Sequence, residues 1–138
     1  YTVMGDAVNL GSRLEGITKQ YGVGIVVGEV TRERLKKDFV FRELDRVRVK
    51  GKSESIAIYE PIGAEGEVAK DKLDEIKLWN QALRYYRAQD WDQAEVALLN
   101  LSRMAPCYLY DLYMQHITQY RKDPPGDGWD GVTNYLTK

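Results

Sequence analysis

The chain has 138 residues and a formal net charge of −1, with 20 basic and 21 acidic side chains. This length allows one or two small domains, and the balanced charge excludes the strong basic field of a nucleic-acid-binding protein. A single cysteine, Cys107, excludes an internal disulfide. Because no apolar run reaches the length of a membrane span and no signal peptide is visible, we expect a cytoplasmic fragment.

The first predicted elements are a strand, a turn and an amphipathic helix. Residues 1–4 are largely apolar, a Gly5-Asp6 turn follows, and apolar residues then recur at steps of three and four until Gly22. Asn9 and Arg13 lie four residues apart on a helix face away from that apolar stripe. One rigid element therefore presents an amide and a guanidinium together, which suits a phosphorylated sugar.

Short strands and one short helix are predicted next. Ile25–Val27 is β-branched and apolar, as in a buried strand. Residues 39–43 and 46–50 alternate apolar with charged side chains, which is typical of two half-exposed antiparallel strands. Thr31 is predicted to cap a charged helix over residues 32–37.

Two motifs of the first half occur in a defined order. Residues 1–16 read YTVMGDAVNLGSRLEG, and residues 48–52 read RVKGK, followed by Tyr59 and Glu60. Together they resemble the signature and the terminal hairpin of the class III nucleotidyl cyclases, the adenylate and guanylate cyclase family. The resemblance covers residues 1–62. It implies an α+β fold, the C-terminal half of a ferredoxin-like cyclase catalytic domain with mixed and antiparallel strands.

The resemblance implies roles for five side chains. Asn9 matches the family residue that orients the ribose, and Arg13 matches the residue that meets the α-phosphate. Lys50 aligns with the lysine on the terminal phosphates, with Lys52 as the alternative if the hairpin register differs by two residues. Thr2 occupies the position that contacts the purine edge, which is commonly Asp in adenylate cyclases. Thr there favours adenine, and so ATP, more weakly than Asp does.

The same resemblance implies a composite site between two catalytic domains of a homodimer. In the family, one domain supplies two metal-binding aspartates and its partner supplies the Asn, Arg and Lys. No Asp among the first sixty residues matches the metal-binding motif, so we expect Mg²⁺ or Mn²⁺ to be bound by residues absent from this chain. The chain is therefore expected to be inactive alone, as a C-terminal part of an adenylate cyclase. Many bacterial members of the family carry an upstream sensor region with a membrane anchor, and the sequence leaves open whether this protein does.

The second half has helical patterns without strand alternation. Apolar residues recur at helical steps in three segments: Leu73, Ile76, Trp79, Leu83 and Tyr86; Trp91, Ala94, Leu98 and Leu101; and Leu109, Leu112, Tyr113, His116, Ile117 and Tyr120. Asp90 is predicted to cap the second helix. Ala82, Tyr85, Ala94, Leu98 and Pro106 fall close to the pattern of a tetratricopeptide repeat.

These patterns predict four regions: the cyclase part at 1–62, a linker at 63–70, a tetratricopeptide-like helical region at 71–122 and a C-terminal tail at 123–138. A single repeat cannot bury both of its faces. The helices are therefore expected to pack on the third helix, on the cyclase part or on another subunit.

Each motif also has a structural interpretation. Asn9 and Arg13 can be solvent-facing helix surface, Lys50 and Lys52 can be edge-strand charges that discourage aggregation, and His116 can be a packed or surface histidine. The alternative function is a non-catalytic regulatory or scaffold fragment whose helical tail binds a protein partner. In a third possibility, the tail transmits a sensor signal or sets the dimer geometry of an active cyclase.

Overall fold

The computed structural model describes residues 2–4, 18–49 and 55–135 of the chain, which divides into two compact units. The sheet unit comprises Tyr1–Val68 and Val132–Lys138, and the helical unit comprises Ala69–Gly131. Strands and helices occur together, so the chain is α+β, as its sequence predicts. Within the described ranges, no helix combines the length and apolarity needed to cross a membrane.

The sheet unit contains a five-stranded sheet with the order β1-β2-β4-β3-β5. Its strands are β1 (Thr2–Met4), β2 (Ile25–Val27), β3 (Phe39–Val49), β4 (Ile56–Ala64) and β5 (Thr133–Tyr135). The pairs β1–β2 and β3–β5 are parallel, and β4 is antiparallel to both of its neighbours. All strands except β4 therefore run in the same direction.

Strand β3 is one strand of 11 residues where the sequence predicts two. Its pairing with β4 has a register shift between Glu43 and Asp45, where β3 holds one extra residue. A second shift lies beside Pro61, which has no N–H to donate and is tolerated at such an irregularity. The break in alternation that suggested a strand end is thus a bulge within a continuous strand.

Glycines mark both ends of the segment between the helical turn at 18–21 and the next helix. Gly22 has a φ of 70°, and the Val23 N–H donates to the Thr18 carbonyl at 3.0 Å, so the glycine ends the helix as predicted. Helix α1 (Glu29–Leu35) begins after Gly28, whose carbonyl accepts from the Arg32 N–H at 3.1 Å. The prediction that Thr31 caps a helix over 32–37 is therefore wrong, because the first helical bond forms three residues earlier.

The helical unit consists of α2 (Lys70–Arg87), α3 (Trp91–Met104) and α4 (Tyr108–Lys122), which confirms the three predicted helices. Trp79 of α2 is fully buried, with its ring centroid 5.5 Å from that of Tyr110 and 5.0 Å from that of Tyr113. Asp90 Oδ1 accepts from the Gln93 N–H at 3.3 Å, so the predicted cap is confirmed. An aromatic core thus joins α2 to α4 and closes the bundle.

Candidate functional site

The predicted site residues lie mostly outside the described part of the chain. Asn9, Arg13, Lys50 and Lys52 fall in residues that the structure does not describe. Thr2 lies on β1, where its register partner on β2 is Ile25. The structure therefore describes the strands that precede these residues in the chain, and not the residues themselves.

The strands that precede the predicted site residues run in one direction but end at different levels of the sheet. β1 ends at Met4 beside Val27, and the pairing of β2 with β4 places Val27 beside Tyr59. Tyr59 in turn pairs with Glu43 of β3, which continues in the same direction for six more residues to Val49. In the sheet order, β1 and β3 are three strand spacings apart, or about 14 Å.

Arg46, near the end of β3, contacts one residue just before β4 and one residue on α1. Its Nε donates to Ser55 Oγ at 2.9 Å, and its Nη1 lies 3.4 Å from Glu29 Oε1 on α1. The arginine and glutamate side chains are both partly exposed, so the pair orients these elements more than it stabilises them. The Arg46 side chain thus links β3, Ser55 and α1.

A buried carboxyl group lies four residues before Val49, the last residue of β3. Asp45 is 1% exposed, and its Oδ2 accepts hydrogen bonds from the Tyr21 hydroxyl and, at 2.6 Å, from Thr133 Oγ1. Its Oδ1 accepts from the Arg46 N–H at 2.7 Å. These donors meet the requirement that a buried carboxylate be hydrogen bonded. Asp45 therefore connects the helical turn at 18–21, β3 and β5.

Sequence reasoning missed Asp45 because the bulge reverses the alternation of β3. Before the bulge Arg42 and Leu44 are buried, and after it Asp45 and Val47 are buried. Simple alternation assigns Asp45 and Leu44 to opposite faces, so the charged residue reads as solvent-exposed. The sequence signal for a buried Asp45 is the break in the two-residue alternation between Leu44 and Asp45.

Tyr59 lies among charged residues on β4. The Arg32 guanidinium lies 5.1 Å from the centroid of its ring, and Phe41 packs edge-on at 6.4 Å. Burial raises the pKa of the Tyr59 hydroxyl above its ordinary 10.0, and the negative charge of Glu43 raises it further. The hydroxyl therefore remains neutral at physiological pH and offers a donor rather than a charge.

No metal-binding group is present in the described residues. Within them, no three His, Cys, Asp or Glu side chains are placed to hold an ion together. His116 packs in the helical unit, where its Nδ1 lies 3.2 Å from the Tyr86 hydroxyl and its ring lies beside Tyr113. That position agrees with the interpretation of His116 as a packed histidine.

Several curated proteins are similar to this chain. An adenylate cyclase of Anabaena cylindrica is 52% identical over 62 residues, which are 43% of this chain and 12% of that protein. The terminal-differentiation specific adenylate cyclase of Dictyostelium discoideum is 38% identical over 97 residues, 67% of this chain and 5% of that protein. Adenylate cyclase 1 of Rhizobium meliloti is 41% identical over 63 residues, 46% of this chain and 10% of that protein. These similarities support a cyclase lineage.

The similarity is limited to a small part of each relative. The chain spans between 5% and 12% of the length of these three cyclases. No protein-family model matches the chain. No solved structure matches it significantly.

Proposed function

We propose that this chain is part of a class III adenylate cyclase, which converts ATP to 3′,5′-cyclic AMP and pyrophosphate in intracellular signalling. The observation that carries this proposal is the signature at residues 1–16, in a chain whose curated relatives are named adenylate cyclase. The strand directions also support it. β1, which precedes Asn9 and Arg13 in the sequence, and β3, which precedes Lys50, run in the same direction.

In the proposed reaction, the ribose 3′-oxygen attacks the α-phosphorus and pyrophosphate leaves. Negative charge grows on the phosphate oxygens, and fixed donors aimed at those oxygens lower the barrier. Arg13 contacts the α-phosphate, since its planar guanidinium keeps its charge and donates two parallel hydrogen bonds. Asn9 orients the ribose. Lys50, or Lys52 in the alternative register, neutralises the leaving pyrophosphate.

The proposed site is composite and forms in a homodimer through ferredoxin-like catalytic domains. We assign Mg²⁺ or Mn²⁺ to residues outside this chain, because no Asp among the first sixty residues matches the metal-binding motif of the family. The isolated chain then holds only one side of the site and is inactive. Thr2 contacts the purine, where its hydroxyl can donate to or accept from adenine.

The helical unit is proposed as a tetratricopeptide-like region that binds a protein partner. Val96 and Leu99 of α3 are 54% and 47% exposed, on the face opposite the buried Ala94, Ala97 and Leu98. These two exposed apolar side chains also favour the second candidate function, a regulatory or scaffold fragment without activity. The sequence of the natural full-length protein distinguishes the two candidate functions. An active cyclase needs two metal-binding aspartates there, whereas a scaffold needs neither.

The test is the formation of cyclic AMP from ATP with Mn²⁺ present. We expect activity in the natural full-length protein that contains this chain and none in the 138-residue chain alone. GTP in place of ATP should give a lower rate if Thr2 favours adenine. A full-length protein that dimerises and still forms no cyclic AMP would contradict the cyclase proposal and leave the scaffold function.

A further inference from the structure

Strand β5 pairs with β3 up to Val49, the residue before Lys50 of the proposed phosphate contact. In the described residues, the register of β3 with β4 ends at Val47 and Ile56. The register with β5 continues beyond that pair, with Arg48 opposite Asn134 and Val49 opposite Tyr135. The last residues of β3 before Lys50 are thus aligned by β5.

A hydrogen bond to a buried carboxyl group holds β5 at its first residue. Thr133 Oγ1 donates to Asp45 Oδ2 at 2.6 Å, and Asp45 is 1% exposed. Exclusion of water strengthens a hydrogen bond to a buried group. A strand of three residues has few backbone bonds of its own. This side-chain bond therefore contributes a large part of what fixes its register.

The same carboxylate oxygen also fixes the helical turn at 18–21. The Tyr21 hydroxyl donates to Asp45 Oδ2, and Tyr21 is buried. In the sequence this turn follows the segment that bears Asn9 and Arg13, whereas β3 precedes Lys50. Asp45 thus joins the two elements adjacent to the two groups of proposed site residues.

We propose that Thr133 is a positioning residue for the cyclase reaction, because its bond to Asp45 holds β5 against the end of β3, the strand that precedes Lys50 in the sequence. This role rests on the proposed function. Thr133 contacts no substrate and acts through β3 and Lys50. β5 then positions the end of β3 and belongs to the sheet unit rather than to the helical unit.

The experiment compares three variants of the natural full-length protein. Thr133→Val removes the hydroxyl and keeps the shape, and Thr133→Ser keeps the hydroxyl. Thr118→Val is the matched control, because Thr118 Oγ1 donates to the Met114 carbonyl at 3.0 Å on an exposed face of α4. We expect T133V to lower kcat/KM for ATP about tenfold, which corresponds to the free energy of one buried hydrogen bond, with a raised KM. T133S and T118V should stay close to the unsubstituted protein.

The KM separates positioning from a merely structural role. A variant that only reduces the number of folded molecules lowers the apparent kcat and leaves KM unchanged. That result, or a T133V protein with unchanged kinetics, would overturn the positioning role while the cyclase function stands. Absence of activity in the unsubstituted protein would instead overturn the proposed function and the positioning role with it. If T133V does not fold, Thr133→Ala gives the same comparison, because its smaller side chain leaves room for water beside Asp45.

Discussion

Arg42 and Glu60 are register partners on β3 and β4, and Arg42 Nη2 lies 2.7 Å from Glu60 Oε1. The arginine side chain is 4% exposed and the glutamate 21%, so the pair is largely removed from water. Removal of Glu60 takes away a carboxylate oxygen that accepts from both Nε and Nη2 of the buried Arg42, and the loss of such charged hydrogen bonds is costly. We expect Glu60→Ala to lower the free energy of unfolding of the chain by about 3 kcal/mol, measured by denaturant unfolding.

A double substitution is the control for this pair. Arg42→Met with Glu60→Leu replaces both charges by apolar side chains of similar size, which in other proteins is often neutral or stabilising. The double variant should therefore be more stable than E60A. If E60A costs less than about 1 kcal/mol, the pair behaves as an exposed one and the burial of Arg42 does not govern its energy.

Stability at high pH should depend on Tyr59. Burial, and then the charge of Glu43, raises the pKa of its hydroxyl in the folded chain above 10.0, whereas the unfolded chain ionises at the ordinary value. The stability that the neutral Tyr59 hydroxyl contributes is fully present below that ordinary pKa and is lost as the pH rises through the pKa of the folded chain. As the pH rises from below to above 10.0, the free energy of unfolding should therefore fall less in the Tyr59→Phe variant than in the unsubstituted chain. Parallel pH curves for the two proteins would contradict the assignment.

Lys50 and Lys52 provide a matched pair of substitutions for the proposed phosphate contact. Both lie in the connection between β3 and β4, two residues apart. We expect Lys50→Ala to raise the KM for ATP and lower kcat in the full-length protein by about tenfold each, and Lys52→Ala to change neither strongly. The reverse pattern would assign the contact to Lys52. Equal, small effects would mean that both lysines are edge-strand charges.

Local patterns in the sequence were sufficient for elements whose cause is local. Gly22 ends a helix through its positive φ, and Asp90 caps the next helix through one hydrogen bond to a nearby N–H. The burial of Trp79 also follows from helical spacing. These features depend on residues a few positions apart, which the sequence displays directly.

The features that were not predicted depend on distant partners. Thr133–Tyr135 has no strand pattern of its own and becomes a strand only by pairing with β3. Asp45 is stable when buried because Tyr21 and Thr133 donate to it, and these residues lie 24 and 88 positions away. Of the proposed site, only the position of Thr2 on β1 lies in the described residues, so the roles of Asn9, Arg13, Lys50 and Lys52 rest on the sequence signature.

The most direct test of the cyclase proposal is the rate of cyclic AMP formation by the natural full-length protein and its Arg13→Ala variant, with Mn²⁺ and saturating ATP. If Arg13 stabilises charge on the α-phosphate in the transition state, kcat falls by about 10²- to 10³-fold, as for loss of a fixed donor to a developing charge. The variant should keep the thermal unfolding of the unsubstituted protein. A folded R13A protein that forms cyclic AMP at the unsubstituted rate, or an unsubstituted protein that forms none, would contradict the account.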